Sequence, residues 1–185
     1  SYIELVNKYI PDMKKYVSGT GSPMYYAARI AKEKYPDAKI VFVGPCVAKR
    51  KEAQRDEAVD FVMTFEEVSS IFDAFEVNLE IVQPYAMEFS SVREAHGFAQ
   101  AGGVMGAVKA FLKMEADKIN AIQVSDLNKK NIGTLRAYAK SGKAPGQFIE
   151  VMACEGGCIT GPSTHSGSNG KRQLVQELAK QEKTY

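Results

Sequence analysis

Four short runs rich in β-branched and aromatic residues, each separated from the next by helix-like sequence, restrict this chain more than any other feature. They fall at residues 39–43 (Lys-Ile-Val-Phe-Val), 60–63, 121–124 and 148–152. The first stops at Gly44-Pro45, as buried parallel strands do. Parallel neighbours need long crossovers, and the spans between the runs are long enough to supply helices. The expected fold is α/β, a parallel sheet covered by helices on both faces.

The helical spans carry their own signals. Ile3, Val6, Tyr9, Ile10, Met13 and Val17 recur at helical spacing and predict one amphipathic helix over 1–17. Ser18 to Ser22 is a loop, and Pro23 suits the first turn of a helix reaching residue 34. Thr64, with Glu67 three residues on, is a capping box. Gly102-Gly103 precedes a helix over 104–114, and further helices are expected at 128–140 and 171–180. Residues 156–170 read as a long small-residue loop, rich in Ser and Gly from 161 onward.

Composition narrows the function. The chain has 185 residues and a formal net charge of +2, and Lys and Arg are dispersed rather than massed on a stripe. Nucleic acid is not the expected partner, and no apolar run is long enough to span a bilayer. Three cysteines cannot all pair, so thiols in a reducing cytoplasm are expected rather than a secreted disulfide framework.

Those cysteines are the chemical signal. Cys46 follows the first strand-like run and Cys154 and Cys158 follow the fourth. In open α/β sheets, functional loops lie at the carboxyl ends of strands. Two distant loops should therefore bring three thiols to one edge of one sheet. Gly156, Gly157 and Gly161 allow close backbone approach and leave N–H groups to point at a ligand. That suits an anionic iron–sulfur cluster, which takes soft thiolates and amide hydrogen bonds. A zinc site with His96 or His165 as the fourth ligand competes with it, although paired zinc cysteines are usually spaced by two residues and here by three. Buried cysteines without a ligand are the other alternative.

Longer stretches carry a resemblance. Gly44-Pro45-Cys46-Val47-Ala48-Lys49-Arg50-Lys51-Glu52-Ala53 resembles the second signature of the iron-only (di-iron) hydrogenases. Glu150-Val151-Met152-Ala153-Cys154-Glu155-Gly156-Gly157-Cys158-Ile159-Thr160-Gly161 resembles their third. Gly102-Gly103-Val104-Met105 and Ser22-Pro23 are similar to two further family motifs, in the same order along the chain.

The resemblance implies that residues 1–185 are the C-terminal part of the catalytic domain, which reversibly reduces protons to hydrogen. The family's cofactor is the H-cluster, a 4Fe–4S cubane joined to a di-iron unit. By correspondence, Cys46, Cys154 and Cys158 are cubane ligands, with Cys158 bridging to the di-iron unit. Lys49 reaches an anionic ligand of that unit, Met152 packs against it and Glu52 orients its neighbours. Ser18 and Ser22 lie where the family runs protons. The first cysteine signature and the N-terminal lobe are expected to lie outside this chain, and with them the fourth ligand. The fragment alone is therefore expected to be inactive and free of cluster, its parent meeting a ferredoxin-like electron carrier in the cytoplasm. Gly44 and Met24 depart from the family pattern, where Met and Gln are usual. The second reading is a non-catalytic iron–sulfur binding, assembly or sensory member of the same superfamily.

Overall fold

The computed structural model describes residues 2–83, 85 and 91–181; Ser1, where the first helix was expected to begin, lies outside them. In chain order the elements are α1 (Tyr2–Tyr9), a 3-10 segment (Pro11–Tyr16), α2 (Pro23–Lys34), β1 (Val41–Gly44), α3 (Ala48–Ala53), β2 (Phe61–Thr64) and α4 (Phe65–Ala74). There follow α5 (Arg93–His96), α6 (Gly103–Leu112), a 3-10 segment (Lys113–Lys118), β3 (Ala121–Ser125), α7 (Lys129–Ser141), β4 (Phe148–Met152), a 3-10 turn (Cys158–Thr160) and α8 (Gly167–Ala179).

The chain divides into two units. One holds Ser1–Val17, Met87–Gly161 and Ser166–Tyr185; the other holds Ser18–Ala86 and Pro162–His165. The parallel α/β class read from the sequence is observed, but the strands do not form one sheet. β1 pairs with β2 and β3 with β4, each pair parallel and each separate from the other. Each pair has its own crossover helix, α3 or α7, and each is backed by its own apolar cluster.

In the larger unit that cluster is Val6, Ile10 and Met13 against Val124 of β3 and Leu135 and Ala139 of α7. Leu135 is fully buried. The single helix expected over 1–17 is broken: α1 stops at Tyr9, Ile10 takes φ −139°, ψ 60°, and a 3-10 segment follows. The cause is Pro11, whose ring clashes with an α-helical residue before it and lacks the N–H to continue the ladder. The apolar face nevertheless survives the break, because Ile10 and Met13 still point inward.

In the smaller unit Met24, Ala28 and Val59 are buried, with Ile40, Phe42 and Val62 packed around them. Arg29 spans both Asp56 carboxylate oxygens at 2.8 and 2.9 Å and lies 3.6 Å from the centre of the Tyr25 ring. That tie fixes α2 to the turn that leads into β2. The capping box is present in full: Glu67 N–H donates to Thr64 Oγ1, and the Thr64 N–H donates to the Glu67 carboxylate. Helix α8 begins at Gly167, four residues earlier than the sequence suggests, so the small-residue loop is shorter than expected.

Candidate metal centre

β3 and β4 run side by side, and their carboxyl ends build the turn that carries two of the three thiols. The Leu127 N–H donates to Ala153 O at 3.2 Å. Ser125, the last residue of β3, uses its hydroxyl twice: Oγ donates to Cys154 O at 3.4 Å and accepts from the Gly156 N–H at 3.1 Å. Gly157 N–H then donates to Cys154 O at 3.1 Å and Gly161 N–H to Cys158 O at 2.9 Å. Cys154 is half-buried and Cys158 exposed. The glycine amides expected to point at a ligand are thus committed to the turn itself, because a chain reversing this sharply must satisfy its own backbone groups.

Glycine at 157 is a steric necessity. Its φ is +101° and ψ −169°, a region essentially confined to glycine. A Cβ there would sit 2.6 Å from the carbonyl carbon of Gln100. The Ala101 N–H closes the contact by donating to Gly156 O at 2.9 Å. The thiol turn is therefore built directly on the loop preceding α6.

That loop is held by Glu150. Gly102, the N-cap of α6 at φ +88°, has no side chain to satisfy the first helical amides. The buried Glu150 carboxylate, from mid-β4, does so instead: Gly102 N–H donates to Oε1 at 2.6 Å and Met105 N–H to Oε2 at 2.7 Å. Negative charge is favourable at a helix N-terminus. Gly103 cannot carry a side chain, since a Cβ would collide with the backbone of Gly97.

The third thiol lies in the other unit. Cys46, half-buried, follows β1, and its carbonyl accepts the Lys49 N–H at 3.2 Å as α3 begins. Ser163 N–H donates to Pro45 O at 3.2 Å, tying residues 162–165 to the Cys46 loop. Lys49 Nζ lies 2.7 Å from Glu52 Oε2. The other Glu52 oxygen accepts the Ser22 hydroxyl, and Ser22 Oγ in turn caps α2 by accepting from Tyr25 N–H at 3.4 Å. Glu52 lies in the last turn of α3. Ser18 bonds only locally among its described contacts, to Thr20. At Gly44 the edge of the Phe42 ring lies 2.6 Å from where a Cβ would be, so a side chain there would need that ring to turn aside. Met24 is a core residue of this unit, 2% exposed.

Within each unit, among the described residues, no three His, Cys, Asp or Glu side chains gather as a metal site. Met152 is half-buried at the end of β4, beside Ser125 in the ladder.

A family model described as the iron only hydrogenase large subunit, C-terminal domain, matches residues 1–162. The chain belongs to that family. Curated relatives include both Fe-S cluster assembly factors and a hydrogenase. The cytosolic Fe-S cluster assembly factor narfl of Danio rerio is 27% identical, over 90% of this chain and 54% of its own length. Iron hydrogenase 1 of Clostridium pasteurianum is also 27% identical, over 86% of this chain and 36% of its own. The chain spans about half or less of the curated relatives it matches. Among solved structures, FeFe-hydrogenase HydA1 of Chlamydomonas reinhardtii superposes with a TM-score of 0.70, covering 99% of this chain and 65% of that one at 20% identity. That likeness is one of fold.

Two tests of fit come from the chain itself. The donors are cysteine sulfurs, soft ligands of the kind an iron–sulfur cluster takes, two of them carried on one turn. Four cysteine ligands are what a cubane takes, and this chain has three. Sequence reasoning missed Ser125 and Glu150. The signal for Glu150 was available: a lone acid in Phe-Ile-Glu-Val-Met must find buried partners. Ser125 carried none. No helix among the described residues is long and apolar enough to cross a membrane.

Proposed function

We propose that this chain is part of an iron–sulfur protein in which Cys46, Cys154 and Cys158 are three cluster ligands, and that the parent protein reversibly reduces protons to hydrogen. The observation that supports this reading is the built turn at 154–158, held by Ser125 on one side and by the Gln100–Ala101 backbone on the other. A turn this constrained, presenting one half-buried and one exposed thiol, sets two ligands in advance of any metal.

When bound, the H-cluster would supply an open iron position and relay to protons the electrons that an external carrier provides. This chain's residues then have distinct tasks. The three thiolates would hold iron, and Cys158, the most exposed of them, would be the one through which the di-iron unit is joined. Lys49 offers a compact cationic donor to a bound anion. Glu52 fixes the Lys49 ammonium and accepts a hydrogen bond from the Ser22 hydroxyl, so Ser22, Glu52 and Lys49 form a continuous hydrogen-bonded series. Met152 supplies a polarizable wall. A fourth ligand comes from the N-terminal lobe of the parent, and a ferredoxin-like protein exchanges electrons with it in the cytoplasm. The isolated chain is inactive for want of that lobe.

The second reading is a cluster-binding assembly or sensory protein without turnover, favoured by the likeness to narfl across 90% of the chain. Hydrogen evolution from reduced viologen by the anaerobically prepared parent separates the two. Turnover abolished by Cys158→Ser supports the hydrogenase. A brown, cluster-loaded parent that evolves no hydrogen supports the assembly or sensory reading.

A further inference from the structure

Among the described residues of the larger unit Glu150 is the one acid that is almost fully buried, at 5% exposure, and both its oxygens are spent on backbone amides 45 and 48 residues away in sequence. A helix can be capped locally by one Ser, Thr, Asn or Asp. Here the cap comes from the strand that leads, four residues later, into Cys154. The strand, the α6 start and the thiol turn thus close a ring of contacts. Glu150 holds Gly102 and Met105, Ala101 N–H holds Gly156 O, and Gly157 packs on the Gln100–Ala101 peptide.

We propose that Glu150 is a positioning residue for the Cys154–Cys158 pair: by gripping the first amides of α6 it fixes the backbone corner against which the thiol turn is seated. The corner cannot cap these amides with a side chain of its own, because Gly102, at φ +88°, and Gly103, against the Gly97 backbone, are poor places for one. Glu150 touches no thiol; it acts through Ala101, Gly156 and Gly157. Its value as a positioning group rests on the reading that these thiols hold iron, but the geometry it enforces is testable without metal.

Glu150→Gln keeps shape and hydrogen-bonding capacity at one oxygen while turning a second acceptor into a donor that faces an amide N–H. The metal-free chain is treated with iodoacetamide, and alkylation of each cysteine is followed by mass spectrometry. Cys154 is expected to react about three- to tenfold faster in Glu150→Gln, with Cys46, in the other unit, unchanged as the internal control. Unchanged rates at Cys154 and Cys158 would overturn the proposal. So would an equal rise at all three cysteines, which reports general loosening. Should the variant not fold, hydrogen exchange in the unsubstituted chain decides: the Gly102 and Met105 amides are expected to be protected as strongly as those of β4, and loop-like exchange there would overturn it. Iron content of the parent is measured beside these. Site-specific thiol effects in a parent that binds no iron would sink the metal reading and leave the positioning role intact.

Discussion

Lys49 and Glu52 stand one helical turn apart on α3, with Nζ and Oε2 separated by 2.7 Å and both side chains in contact with solvent. Such a pair contributes about 0.3–0.5 kcal/mol to stability. Lys49→Met is therefore expected to shift the urea unfolding free energy by under about 0.5 kcal/mol. In the parent the same change should lower hydrogen evolution by about tenfold or more, equivalent to ~1.4 kcal/mol of lost transition-state stabilisation. A large stability loss with parallel loss of activity would make Lys49 structural.

Two glycines give opposite expectations. Gly157→Ala forces a Cβ into the Gln100 carbonyl carbon at a φ of +101° and should destabilise by about 1–3 kcal/mol, with the larger unit affected first. Gly106→Ala, in the interior of α6 with nothing within 4 Å of the new methyl, should stabilise by about 0.5–1 kcal/mol. Urea denaturation of both variants checks the pair.

Asp60 governs acid behaviour in the smaller unit. The hydrogen bond from Lys39, then that from the Ile40 amide, hold its carboxyl down to about 2 from an ordinary 3.8. The folded state thus binds this proton less readily than the unfolded chain. The stabilisation is present in full above the unfolded value and is lost as pH falls from about 4 toward 2. Glu67 shifts in the same direction, through the Thr64 amide and then Arg50. Asp60→Asn should be less stable than the unsubstituted chain at pH 6, and the two should converge as pH approaches 2. Equal separation at both ends would contradict this assignment.

The sequence announced features whose causes are local. The Thr64–Glu67 box forms because both partners sit within one helical turn, and the strands over 121–125 and 148–152 coincide with runs that contain β-branched and aromatic residues. The break after Tyr9 was also local, since Pro11 was visible, but the apolar periodicity running through it concealed the change of helix type. What stayed hidden depends on long-range pairing. Strand runs do not reveal which of them share a sheet, so four strands read as one sheet resolve into two pairs. At the candidate site Cys154 and Cys158 were legible from chemistry and spacing. The commitment of the glycine amides to Ser125 and Cys154 was not, because those partners are fixed only once β3 and β4 align.

The most direct measurement of the central claim is the iron and acid-labile sulfide content of the anaerobically prepared parent, together with Cys46→Ser, Cys154→Ser and Cys158→Ser. The unsubstituted parent should carry about four irons in its cubane, and each substitution, including the one at position 46 in the other unit, should reduce that content. Full iron content in Cys46→Ser, alongside loss in the other two, would contradict ligation by all three.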